Sequence, residues 1–316
     1  MNEIINTTHL TKTYGKIHAV DNIDLSVKRG EIFGFLGLNG AGKTTAIRML
    51  LGMVTPTSGQ CYLQGKKVSA GNTDIWNDVG YIVETPYSYP ELTVRENLEI
   101  ISKLRGIRDK KCVDWIMNKL KLENYAAKKA KHLSLGNAQR LGIAKAIIHK
   151  PKILILDEPT NGLDPEGIVE VRELLQYSAR NLGVTILISS HKLDEISRMA
   201  TNIAIIHNGK LIKEIDVTQL ENQLKKTLTI DGKDRTGMAS ILCKAGYKVD
   251  ISDEYLTQDL MGLQIHSEVA VKHPEIVALL LVNAGYPPTL LKVEKEDLET
   301  YFLRTIKEVG RGIQGE

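Results

Sequence analysis

The chain has 316 residues, 42% apolar and 25% charged, which is room for one large α/β domain and a smaller one, each with its own core. Its 41 basic and 38 acidic side chains leave a formal charge of only +3, too small a basic excess for a dedicated nucleic-acid binder. Three scattered cysteines, Cys61, Cys112 and Cys243, show no metal-ligand spacing and fit a reducing compartment.

The amino-terminal stretch has neither the basic start nor the apolar run of a secretory leader. Residues Ile4 to Leu10 and Ile23 to Val27 predict short strands. Glu31 to Leu36 reads as a buried strand running into a glycine-rich turn, and Lys43 to Leu51 as a helix. Val94 to Leu122 reads as mainly helical, with Trp115, Ile116, Leu120 and Leu122 on an apolar face. The pure aliphatic runs Ile153 to Leu156 and Val184 to Ile188 suit central strands covered on both faces. Alternating strands and helices over residues 1–220 predict an α/β fold with a mixed sheet.

Composition changes near residue 220. Residues 1–220 carry a net +6 and residues 221–316 a net −3. The second part reads strand (Thr227 to Ile230), helix (Thr236 to Ala245), strand (Lys248 to Ile251), strand (Gly262 to Ile265), helix (Pro274 to Ala284), strand (Thr289 to Val293) and helix (Glu296 to Ile306). That order predicts a small α+β domain over 221–316 of ferredoxin-like type. It serves either as a dimer brace or as a sensor. The longest apolar run, Ile276 to Val282, is far short of the roughly 20 residues a membrane span needs. Between Arg105 and Lys131 there are nine Lys/Arg and three Asp/Glu. This stretch reads as a solvated helical face or as a face turned toward an anionic membrane.

The strongest local signal is Gly37-Leu38-Asn39-Gly40-Ala41-Gly42-Lys43-Thr44, between a predicted strand and a predicted helix. It matches the P-loop pattern. Glycines let the backbone turn several N–H groups toward one anion, and the helix N-terminus adds its partial positive charge. Lys43 is placed to reach the β- and γ-phosphates, the Thr44 hydroxyl to ligate Mg²⁺, and Asn39, Gly40, Gly42 and Thr45 to complete the cradle. Downstream, Asp157 and Glu158 end an apolar strand, at the edge where α/β sheets bind ligands. Asp157 can hold Mg²⁺ through water, and Glu158 can orient and deprotonate an attacking water.

Further motifs carry a family resemblance. Leu133-Ser134-Leu135-Gly136-Asn137-Ala138-Gln139-Arg140 is similar to the LSGGQxQR signature of ABC ATPases. Asn161-Gly162-Leu163-Asp164 resembles the D-loop of that family, His191 its switch histidine, and Tyr14 the aromatic that stacks on adenine. Taken alone, His191 reads as a structural histidine, Tyr14 as a packed aromatic, and Asp164 as a helix cap before Pro165. The resemblance covers roughly residues 3–215. It implies a P-loop ABC ATPase core with a helical subdomain, and ATP and Mg²⁺ as ligands. It also implies a head-to-tail dimer with a second copy or a paralogous subunit. In that dimer Ser134, Gly136 and Asn137 of one chain would cap the γ-phosphate held by the other, with His191 on the γ-phosphate and Asp164 linking the two sites.

Two departures stand out. Leu135 stands where the family usually has glycine and Asn137 where it usually has glutamine. Glu84 replaces the glutamine of the loop that senses Mg²⁺ and touches the membrane partner, which makes Glu84 a third candidate metal ligand. Together these resemble the bacitracin-resistance and lantibiotic-immunity exporters. The resemblance thus implies an ATPase subunit on the cytoplasmic face of the membrane, coupled to a separate integral permease, with no nucleic-acid partner. The competing reading is a soluble ABC ATPase acting on ribosomes or nucleic acid. Those usually fuse two cassettes or insert a coiled coil, and this chain has one cassette and no long heptad run.

Overall fold

A computed structural model describes residues 3–69, 71–109, 111–251 and 262–313. It divides into two compact units, 1–219 and 220–316. The first unit opens with β1 (Glu3–Tyr14), β2 (Ile17–Ile23) and β3 (Ser26–Lys28). β4 (Ile32–Leu36), α1 (Lys43–Leu50), β5 (Ser58–Leu63), β6 (Lys66–Lys67) and β7 (Val79–Ile82) follow. Next come α2 (Val94–Leu104), α3 (Cys112–Lys119), α4 (Leu135–Ile147), β8 (Ile153–Asp157), α5 (Pro165–Leu182) and β9 (Thr185–Ser190). α6 (Leu193–Ser197), β10 (Asn202–His207) and β11 (Lys210–Asp216) close the series, and α7 (Val217–Gln223) runs across the division at residue 220.

Two sheets result. An antiparallel sheet is ordered β2-β1-β5-β6, with β3 also on β1. A second is ordered β11-β10-β4-β9-β8-β7, parallel throughout except for β11 at its edge. Every residue of β4, β8 and β9 is buried, as the aliphatic runs there predict. α1 packs on β5 and β8, and its Ile47 and Leu50 join Leu10, Phe33, Phe35, Leu63 and Ile155 in one core.

The predicted strand Ile23 to Val27 is not continuous. β2 stops at Ile23 and β3 starts at Ser26. Between them the Thr7 hydroxyl donates to the Ile23 carbonyl at 2.9 Å and accepts from the Leu25 N–H at 2.8 Å, replacing ladder bonds with a side chain. The predicted helical stretch 94–122 is two helices. α2 starts on a capping box from Thr93 and Glu96 and ends before Gly106, and α3 begins at Cys112. α2, α3 and α4 pack on one another as a helical layer. Three basic side chains of the stretch form ion pairs among the described residues, Lys121 with Glu166 and Glu170, and Lys129 and Lys131 with Glu91, while Lys119 and Lys128 lie over the rings of Tyr177 and Tyr125. Its Lys110 lies outside the described residues.

The second unit contains β12 (Lys226–Asp231), α8 (Arg235–Lys244), β13 (Val249–Ile251), β14 (Leu263–Ile265), α9 (Glu268–Lys272), α10 (Pro274–Asn283), β15 (Leu290–Lys295) and α11 (Leu298–Ile313). Its four strands pair antiparallel in the order β13-β14-β12-β15. Leu228, Ile230, Met238, Leu242, Leu263, Ile265, Val277 and Leu281 form its core. Among the described residues no helix is long and apolar enough to cross a membrane.

Candidate nucleotide site

The parallel register sets the site. Leu36 lies opposite Ser190, and Asp157 opposite Ser189. The carboxyl ends of β4, β8 and β9 therefore deliver the glycine-rich loop, the acidic pair and His191 to one edge of the sheet. The loop is anchored where the Gly37 N–H donates to the Ser190 carbonyl at 3.2 Å. Gly42 caps α1 at φ +108°, and a β-carbon there would collide with the Ala19 carbonyl, so only glycine fits. α1 begins at the next residue, aiming its first N–H groups into the loop.

Lys43 is buried and folds back across the loop. Its Nζ donates to the Gly37 carbonyl at 2.6 Å and the Leu38 carbonyl at 3.3 Å, and lies 3.3 Å from Glu158 Oε1. The other carboxylate oxygen of Glu158 is 2.9 Å from His191 Nδ1. Thr44 Oγ1 donates to Asp157 Oδ2 at 2.8 Å, and Ser189 Oγ donates to Asp157 Oδ1 at 2.5 Å. Ser189 Oγ also accepts from the Glu158 N–H at 3.0 Å. Glu158 sits at φ +48°, a left-handed backbone that a side chain adopts at a cost.

Lys43, Thr44 and Glu158 border a cleft of about 450 Å³, whose lining does not include Asp157, Ser189 or His191. Asn39, Gly40, Gly42, Lys43, Thr44, Thr45 and Glu158 line it, joined by Ile17, His18 and Ala19 of β2 and by Asn208 and Gly209. Tyr14 pairs with Ile17 across the β1–β2 hairpin and carries the Lys12 ammonium 5.1 Å over its ring, beside the cleft rather than in its lining. Among the described residues no cluster of three or more His, Cys, Asp or Glu could hold a metal. The donor set on offer is the Thr44 hydroxyl and the Asp157 carboxylate. That fits a hard cation such as Mg²⁺, which keeps several waters and takes its other oxygens from substrate phosphates.

The remaining predicted residues gather elsewhere. Ser134 caps α4, its Oγ accepting from the Asn137 N–H at 3.3 Å. Gly136 rests against the Gly162 carbonyl. Asp164 caps α5, accepting from the Gly167 N–H at 3.0 Å, and receives Arg140 Nη2 at 3.4 Å. Ser134, Gly136, Asn137 and Asp164 thus form a second cluster, and none of them lines the cleft of their own chain. Glu84 joins neither group. It is more than half exposed and pairs with Arg48 at 2.7 Å. Sequence reasoning missed Ser189, Gln139, His18 and the Asn208-Gly209 turn. Only the last had a local signal, an Asn-Gly dipeptide between two apolar runs.

The model of the ABC transporter family matches residues 20–161. The bacitracin transport ATP-binding protein BcrA of Bacillus licheniformis is 42% identical over 306 residues, covering 97% of this chain and 98% of the relative. The lantibiotic transport ATP-binding protein SrtF of Streptococcus pyogenes is 39% identical over 214 residues, covering 68% of this chain and 91% of the relative. Among solved structures, a dimeric ATP-binding cassette in a post-hydrolysis state bound to ADP and Pi superposes with a TM-score of 0.63 at 28% identity. That superposition covers 68% of this chain and 99% of the other.

Proposed function

The chain belongs to the ATP-binding proteins of ABC transporters, and we propose that within that family it powers export of an antimicrobial peptide of the bacitracin or lantibiotic kind through a separate permease. It is the ATP-binding, ATP-hydrolysing subunit of an exporter. The cargo reading is supported by the names of the relatives, and the soluble alternative finds no support among them.

The observation that carries the mechanism is the Glu158 carboxylate, held between Lys43 Nζ and His191 Nδ1 at the rim of the phosphate cleft. In our reading the backbone N–H groups around Asn39, Gly40 and Gly42, with Lys43 and Thr45, bind the triphosphate. Tyr14 stacks on the base. Glu158 takes the proton from the water that attacks the γ-phosphorus, and His191 fixes the orientation of that carboxylate. Thr44 and Asp157 would hold Mg²⁺, which when bound neutralises phosphate charge. Glu84 would need to leave Arg48 to reach it. Ser134, Gly136 and Asn137 serve the nucleotide of a second copy or a paralogous subunit, with Asp164 at the seam. Their separation from the cleft of their own chain supports this division of labour.

The permease would dock at a second cleft of about 440 Å³, bordered by Tyr81, Pro86, Tyr87, Ile101, Arg105 and Lys145. Its exposed Tyr81 and Tyr87 offer aromatic anchors, and burial pulls the Lys145 amine below its usual range. Docking there would hold the chain peripherally at the cytoplasmic face of the membrane. Residues 221–316 would form an accessory domain, whose strand order β13-β14-β12-β15 supports the ferredoxin-like reading.

The test is Glu158→Gln in the purified chain and in vesicles with its permease. Glutamine keeps the shape but cannot take a proton, so hydrolysis should fall by about 10²–10⁴. ATP should still bind and should accumulate a dimer in gel filtration, and extrusion of bacitracin from loaded vesicles should stop. Normal turnover would remove Glu158 as the base. Turnover loss without any effect on peptide extrusion would refute the exporter reading.

A further inference from the structure

The face that α4 turns toward the acidic loop is made by residues 135, 136, 139 and 140, one stripe of a helix. Each position touches the segment that carries Glu158. Gln139 Nε2 donates to the Glu158 carbonyl at 3.4 Å. Arg140 reaches Asp164 at 3.4 Å and Glu170 on α5. Gly136 lies so close to the Gly162 carbonyl that an added β-carbon would come within 3.0 Å of it. Leu135 also lies against Gly162: a methyl on Gly162 would stand 2.5 Å from Leu135 Cδ2 and 2.6 Å from its Cγ, and its three nearest atoms all belong to Leu135. The Gln139 and Arg140–Asp164 bonds are long. Leu135 sets an apolar side chain against Gly162, and it does so at the end of the stripe nearest Ser134.

We propose that Leu135 is a positioning residue, an apolar latch that seats the Ser134–Gly136 turn on Gly162 and so moves it together with the loop bearing this chain's own Glu158. A glycine at 135 would remove that side chain from Gly162. The leucine is 64% exposed, so it contributes little core burial. Its worth lies in joining two motifs that serve different nucleotides: the turn faces the ATP held by the second subunit, and Glu158 faces the ATP of its own chain. The inference rests on the two-subunit reading given above.

The test is a double-mutant cycle in the full-length chain, using Leu135→Gly, Gly162→Ala and both together, with kcat, the KM for ATP and the thermal midpoint as readouts. Gly162 has φ +77°, so alanine is strained there in either background, and the cycle cancels that strain. Leu135→Gly alone should lower kcat about tenfold while KM stays within about twofold, since the P-loop is untouched. Gly162→Ala should cost at least about tenfold more in kcat beside Leu135 than beside glycine, because its methyl strikes only Leu135. Leu135→Met, similar in volume, should recover most of the rate. The thermal midpoints of Leu135→Gly and Leu135→Met should stay near the parental value, whereas Gly162→Ala lowers its own through backbone strain. Additive effects, an unchanged kcat in Leu135→Gly, or a loss of rate in Leu135→Gly that tracks its own thermal midpoint would each overturn the latch. If ATP draws no dimer from the Glu158→Gln chain, the two-subunit reading fails and takes the latch with it. If that dimer forms and the cycle is additive, only the role of Leu135 is wrong.

Discussion

Replacing Ser189 by alanine tests the architecture of the site most directly. Ser189 is fully buried, and its hydroxyl serves two neighbours at once. It donates to Asp157 Oδ1 at 2.5 Å and accepts from the Glu158 N–H at 3.0 Å. Alanine removes almost no volume, so a cavity is not the issue. The lost bond to a carboxylate is worth about 1.5–3 kcal/mol, and the partly buried N–H left without its acceptor costs about another 1 kcal/mol. Thr44 still holds the second oxygen of Asp157, so the expected loss is about 2–4 kcal/mol of folding stability. The kinetic effect should be sharper. The left-handed backbone of Glu158 loses the side chain that pins it, and a displacement near 1 Å at a catalytic group can cost about 10²-fold. KM for ATP should change little, since Lys43 and the glycine-rich loop keep their contacts. Urea unfolding followed by circular dichroism and steady-state ATPase rates on the same preparation measure both effects. A Ser189→Ala chain with parental stability and parental kcat would refute the claim that this hydroxyl positions Glu158.

Lys43→Ala removes the ammonium at the centre of the cradle and should weaken ATP binding about a hundredfold, the worth of strong charge-assisted bonds to phosphate, as read by titration with a fluorescent nucleotide. Burial, helped by the nearby Arg105 charge, pushes the His149 imidazole down to about 4 from its ordinary 6.5. The unfolded chain therefore binds a proton below pH 6.5 that the folded chain refuses until about pH 4, and stability should fall across that window. The loss is at most about 3 kcal/mol before discounting for partial exposure, and urea midpoints of His149→Phe should lose that part of the pH dependence. Glu84→Gln breaks an exposed ion pair with Arg48, so stability should shift by less than about 1 kcal/mol and ATP affinity by less than about tenfold, while permease-stimulated hydrolysis in reconstituted membranes changes.

What was legible in the sequence was what is local in the sequence. The glycine-rich loop lies within eight consecutive residues between a buried strand and a helix, and β4, β8 and β9 announce themselves as unbroken aliphatic runs because both of their faces are covered. β1 and β2 were harder to read. They are half-buried, carry many threonines and polar residues, and pair through register shifts that blur any period of two. Ser189 could not be recognised, because its value comes from lying opposite Asp157, a register that only the assembled sheet defines. The same holds for His18 and Gly209, which sheet pairing carries to the cleft from opposite ends of the first unit. Glu84 shows the reverse case. Its neighbours in sequence suggest a metal ligand, while its partner in space is Arg48, 36 residues upstream.

The restraints on Glu158 come from four separate elements, and that distribution has a consequence. β9 holds its N–H through Ser189, α4 shares its carbonyl, through Gln139, with the Asn161 N–H of its own loop at 3.2 Å, α1 holds one carboxylate oxygen through Lys43, and the turn after β9 the other through His191. A left-handed, strained residue persists only where its surroundings over-determine it. Three of these restraints belong to the sheet edge and its P-loop helix. The fourth belongs to α4, which packs with α2 and α3 and meets β7 beside the Tyr81–Tyr87 cleft. A force applied at that cleft therefore acts on the Glu158 backbone through Gln139 and on Gly162 through Leu135, whereas charge arriving at Lys43 acts on the same carboxylate from the opposite side. Because both inputs bias one residue, the coupling between them must run in both directions: whatever makes a docked segment change the population of the hydrolytic geometry also makes bound nucleotide change the affinity for that segment.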